Sequence, residues 1–170
     1  MAKKKKHILW FKEINNKDVP KVGGKNASLG EMYSKLTSKG VAIPNGFAVT
    51  AQAYDYFVTT QGVKKQIKEI LADLNTHDIH NLQDRAKKVR QAILKAEFPE
   101  DLREQIVAAY KTLSKEFKMK NVVVAVRSSA TAEDLVDASF AGQQDTYLNI
   151  EGEEELLDAC RRCMASLFTD

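Results

Sequence analysis

Apolar residues in this chain fall into two patterns. Short runs rich in apolar and β-branched residues lie at 8–11, 47–49, 122–126 and 146–148, each the length of a strand. Elsewhere apolar positions recur every third or fourth residue: Leu29, Met32, Tyr33 and Leu36; Ile67, Ile70, Leu71 and Leu74; Leu82, Ala86, Val89 and Ile93; Leu102, Ile106, Ala109, Tyr110 and Leu113. That spacing predicts helices. Punctuation bounds them. The first begins near Asn26 or Ala27 and is ended by Gly40. Thr50 is placed to cap a helix that runs to about Thr59 and breaks at Gln61-Gly62. Asp78 starts the second helix of the middle block, and Pro99 lies in the first turn of the third, where its missing N–H costs little. A helix over 151–168 carries acidic residues in its first turn, as the helix dipole favours. Residues 14–20 read as a polar connection and 41–46 as a turn. The expected class is α+β: a small sheet with a helical block. Residues 63–118 are rich in Lys and Glu, offer no constellation for chemistry and read as scaffold. No repeat, low-complexity linker or internal boundary divides residues 8–170.

Composition adds bounds. With 170 residues, 44% hydrophobic and 29% charged, the chain can bury one sizeable core. No apolar run approaches the roughly 18 residues a membrane helix needs. No signal peptide is evident, because the apolar patch after the opening lysines is short and broken by Lys12 and Glu13. A cytoplasmic location is the expectation. Lys3, Lys4, Lys5 and Lys6 supply more than the whole net charge of +3. Residues 1–7 therefore read as a basic flexible tail, a solvated terminus rather than a nucleic-acid arm. Cys160 and Cys163 form a CxxC with Arg161 and Arg162 between them. No second Cys or His cluster accompanies the pair, which reads as ordinary helical thiols.

Two stretches carry candidate chemistry. The run at 122–126 delivers Arg127 at its carboxyl end, followed by small and hydroxylated residues, Ser128, Ser129, Ala130, Thr131 and Ala132. Open α/β proteins commonly hold ligands beyond the carboxyl ends of strands. An Arg fork fits phosphate oxygens, and small residues let backbone N–H groups approach an anion. The loop lacks a GxxxxGK[ST] motif, so a phosphate cradle and a plain turn with Arg127 in a surface ion pair both remain open from residue types alone. The second stretch is Val22-Gly23-Gly24-Lys25-Asn26. A Gly-Gly-Lys turn at a helix start brings N–H donors, the helix dipole and an ammonium to one place. A capped turn with an exposed lysine is the alternative.

RSSATAEDLVDASFAGQQDTYLN, taken with VPKVGGKNASLGEM at positions 19–32, resembles the N-terminal nucleotide-binding region of the phosphoenolpyruvate synthase family. Pyruvate phosphate dikinase and rifamycin phosphotransferase are relatives with similar motifs. The resemblance implies an ATP-grasp type domain built from two parts with ATP between them, of which this chain covers the first, as a piece of a longer protein. It implies that Lys25 and Arg127 contact the ATP phosphates and that Gly142 and Thr146 reach the nucleotide. Ser139, Gln143 and Gln144 are weaker candidates in the same loop. Glu133 and Asp134 read as structural or capping residues, and the Mg²⁺ ligands are expected outside this chain. The implied reaction converts ATP, pyruvate and water to phosphoenolpyruvate, AMP and phosphate through a phosphohistidine on another domain. His7, His77 and His80 lack the family's glycine- and serine-rich surroundings for that role, so this chain alone is expected to be inactive. The family places proline after the Asp-Leu of the arginine loop; Val136 stands there in this chain, which puts the loop geometry in doubt. An antibiotic kinase and a non-catalytic binding module are the alternatives.

Overall fold

A computed structural model describes residues 6–131 and 145–168, together with the backbone of 134–135 and 138–139. Strand β1 (Ile8–Trp10) leads through a 3-10 turn at Phe11–Glu13 and another at Asn16–Asp18 into a one-turn helix, α1 (Val19–Val22), and then α2 (Gly24–Leu36). The expected polar connection at 14–20 is therefore largely helical. The Asn15 side chain accepts from the Lys17 N–H at 2.9 Å, and Asp18 Oδ2 accepts from the Asn15 N–H at 3.1 Å. This reciprocal cap starts the turn without any apolar periodicity. A 3-10 turn at Thr37–Lys39 follows α2, and Gly40, with φ of 84°, ends it.

Helix α2 buries a different face from the one its larger residues mark. Its buried residues are Ala27 and Gly30, while Met32 is 40% exposed. The reason is close approach. A Cβ on Gly30 would stand 2.6 Å from both Cβ and the carbonyl oxygen of Ile14, so only a small residue fits there. Ile14, Val22, Ala27 and Ala48 form a small apolar cluster under α2, separate from the main core. Gly30→Ala should lower stability by up to about 2 kcal/mol, since overpacking of about 1–3 kcal/mol is offset by a helix-propensity gain of only about 1 kcal/mol. An unfolding midpoint at or above that of the parent protein would contradict this packing account.

Strand β2 (Phe47–Val49) returns antiparallel to β1, with Ile8 opposite Val49 and Trp10 opposite Phe47. Thr50 then caps α3 (Ala51–Thr60), its Oγ1 accepting from the Ala53 N–H at 3.2 Å. Gly62 (φ 71°) turns the chain into α4 (Val63–Ile70), which ends before the expected Leu74. Asp78 caps α5 (Ile79–Lys95) by accepting from the N–H groups of His80 and Asn81. Pro99 sits at the cap of α6 (Glu100–Glu116) rather than inside its first turn. The apolar positions of α5 and α6 supply much of the main core: Val89, Ile93, Leu102, Ile106 and Tyr110 are buried with Phe57 and Val63. Leu82 is only half-buried.

Strand β3 (Val124–Arg127) is followed by β4 (Asp134–Leu135), β5 (Ala138–Ser139), β6 (Thr146–Ile150) and α7 (Glu153–Ala165). The expected single sheet is three separate antiparallel pairs among the described residues: β1 with β2, β3 with β6, β4 with β5. Strands of two to five residues make few ladder bonds. The mixed α+β composition stands. The Tyr110 hydroxyl fastens the β3–β6 ribbon to α6. It donates to the Val122 carbonyl and accepts from the Gly152 N–H, both at 2.8 Å.

Two residues assigned to the expected tail, Lys6 and His7, make defined contacts. His7 is buried, its ring stacked 5.0 Å from that of Tyr56, and its backbone N–H donates to Gln105 Oε1. Lys6 pairs with Glu13. Among the described residues no helix is long and apolar enough to cross a membrane.

Candidate functional site

Arg127 is the last residue of β3 and is exposed. Its partner across the ladder is Thr146, the first residue of β6 and also exposed. Directly opposed residues in an antiparallel pair hold their Cβ atoms about 5 Å apart, so these two candidates are immediate neighbours. One residue further toward the loop the chain is pinched shut. The Asp145 carbonyl accepts from the Ser128 N–H and the Ser128 hydroxyl, each at 3.3 Å, and from Cys163 Sγ at 3.9 Å. Arg127 and Thr146 thus stand on the two strands that carry the small-residue loop, just beneath the point where it leaves the ribbon.

The second candidate segment lies against that loop. The Gly24 N–H donates to the Ala130 carbonyl at 3.4 Å, and the Asn26 N–H donates to Ser129 Oγ at 3.2 Å. Gly23, with φ of 80°, passes so close that a Cβ there would be 2.3 Å from both the carbonyl oxygen and Oγ of Ser129. Lys25 is exposed, between the two bonded residues. Consecutive Cα atoms are about 3.8 Å apart, so this contact holds the Cα atoms of Lys25 and Arg127 within about 15 Å of each other. Two long cationic side chains at that separation can reach a common ligand.

The pairing also alters one expectation. A helix start with free N–H donors was the attraction of the Gly-Gly-Lys turn for an anion. In the structure two donors of that first turn are engaged by Ser129 and Ala130. The segment's cation is Lys25, and it does not present an open ring of amides. The strand-end rule likewise does not apply, since β3 pairs antiparallel with β6. The loop contact, not a parallel sheet, brings the candidates together.

A cleft of about 910 Å³ opens beside this junction, within the range of small-molecule sites. Asn26, Leu29, Phe47, Val126, Arg127 and Ser129 are among its lining residues, and its walls are mainly apolar. Lys21 also lines it. The Lys21 ammonium, 2.7 Å from Asp18, together with the Asn15 N–H holds the Asp18 carboxyl below the usual carboxylate range.

The other candidates sort simply. Gly142, Gln143, Gln144 and Glu133 lie outside the described residues. Asp134 and Ser139 are register partners in the β4–β5 pair. Cys160 and Cys163 are buried in α7, and burial pushes both thiols up to about 12. His77 and His80 are exposed at the start of α5. Among the described residues no group of three or more His, Cys, Asp and Glu is placed to hold a metal ion. The sequence reading missed the role of Ser129 in this junction. One signal was present: glycine at the cap position leaves α2 without a capping side chain of its own, so its first donors need acceptors from elsewhere.

Residues 19–170 match the family model described as pyruvate phosphate dikinase, AMP/ATP-binding domain. A phosphoenolpyruvate synthase of Helicobacter pylori is 53% identical over 165 residues, covering 97% of this chain and 20% of that protein. One from Aquifex aeolicus is 53% identical over 168 residues, 99% of this chain and 20% of its own length. One from Escherichia coli is 45% identical over 163 residues, 96% of this chain and again 20% of its own. The chain thus spans about a fifth of the length of these curated relatives.

Proposed function

Because the chain belongs to the pyruvate phosphate dikinase AMP/ATP-binding domain family, we propose that it is the first part of the ATP-binding domain of a phosphoenolpyruvate synthase, of ATP-grasp type. In the full-length protein ATP would give a phosphoryl group to a histidine on another domain, and that group would pass to pyruvate. The observation that carries this reading is the junction itself: the glycine-lysine segment and the loop beyond the arginine strand are bonded to each other beside one cleft.

In this reading Lys25 and Arg127 bind the triphosphate and offset the negative charge that shifts between its phosphates during transfer. Thr146, opposite Arg127, offers a hydroxyl to the same anion, and Gly142 admits backbone to the phosphate chain. Mg²⁺ would accompany ATP as a further counter-charge, with ligands outside the described residues.

The acceptor is testable directly. The full-length protein should consume ATP with release of AMP and phosphate when given pyruvate, and should not do so with a rifamycin. ATP consumption driven by the antibiotic alone would assign it to the phosphotransferase branch instead.

A further inference from the structure

We propose that Ser129 is a positioning residue for phosphoryl transfer: its hydroxyl, seated on the Asn26 N–H, sets the separation between Lys25 and Arg127. The inference rests on the reading that these two cations share one triphosphate, and it names what holds them in register.

Three features of the junction argue for a built contact. First, α2 has glycine at its cap position, with φ of 80° and no side chain to bond its own first turn. The acceptors come from more than a hundred residues away: Ser129 Oγ for Asn26 and the Ala130 carbonyl for Gly24. Second, Gly23 leaves no room between the segments; even a methyl group there would overlap Ser129. Third, the adjacent serine does a different job. The Ser128 hydroxyl donates to the Asp145 carbonyl and closes the loop onto β6. The loop is therefore held on one side by Ser128 and on the other by Ser129, and Arg127 precedes both. Removing the Ser129 hydroxyl leaves a helix-terminal N–H without its acceptor. The two segments then keep only the Gly24–Ala130 bond, so their spacing is less closely set, and small misplacements of charge-stabilising groups are costly to catalysis.

The test uses the full-length protein and ATP-dependent phosphorylation of its histidine. Ser129→Ala should lower kcat about tenfold, with KM for ATP changed less than about threefold and thermal midpoint close to that of the parent. Gly23→Ala, which pushes Ser129 off α2 from the other side, should lower kcat by at least as much. In an Arg127→Ala background Ser129→Ala should cost less than about twofold, because the positioned group is gone. A full tenfold cost in that background would mean Ser129 acts independently of Arg127, and would overturn the proposal. So would parent-like kcat for Ser129→Ala in a protein where Arg127→Ala and Lys25→Ala are both impaired. If neither of those two variants is impaired, the triphosphate reading fails and this inference falls with it.

Discussion

Arg127→Ala in the full-length protein is expected to lower ATP-dependent phosphoryl transfer by on the order of a hundredfold or more, and Lys25→Ala by a similar factor, as for loss of one charge-stabilising donor. Each cation comes from a different element, the end of β3 and the first turn of α2. Neither can stand in for the other by a local shift, because the Ser129 and Ala130 contacts fix where each backbone lies. Arg127→Lys should recover only part of the loss: it restores the charge but not the planar fork that grips two phosphate oxygens. Single-turnover measurements of phosphohistidine formation separate this from slow product release. Near-parent rates for both alanine variants would remove the assignment of the phosphate site.

Tyr110→Ala should produce the largest loss of stability, about 3–5 kcal/mol. The ring is 1% exposed at the centre of the main core. Its hydroxyl, moreover, bonds the Val122 carbonyl just before β3 and the Gly152 N–H just before α7. Tyr110→Phe isolates that second contribution. It keeps the ring and leaves two backbone groups short of a partner, at a cost of about 1–3 kcal/mol. Denaturant titration of the transition that includes this region measures both. A phenylalanine variant as stable as the parent would show that the bridge adds nothing beyond packing.

Much of the helical block was legible in the sequence because its signals are local. Thr50 and Asp78 cap the helices they were expected to start, and the three-to-four spacing of α5 and α6 marks residues that fill the core. Where the outcome turned on distant contacts, local reading failed. The packed face of α2 is Ala27 and Gly30, since the approach of Ile14 outweighs the larger side chains on the opposite face. The helical turn over Val19–Val22 has too few residues for periodicity to show. His7 reads as part of a lysine tail, and its burial depends on Tyr56 and Gln105. At the site, Arg127 was visible as a cation at a strand end. That Thr146 stands opposite it depends on a register that a shift between Val124 and Val126 interrupts. The contact between residues 23–26 and 129–130 has no local signature beyond an uncapped helix.

The two cations rest on different foundations. Lys25 is carried by a helix seated on the minor cluster of Ile14, Val22, Ala27 and Ala48, while Arg127 ends a strand packed on the major one. Parts of a protein with separate apolar cores open with separate free energies. A nucleotide gripping both sides would act as mortar between them, adding its binding energy to the two hydrogen bonds that already join them.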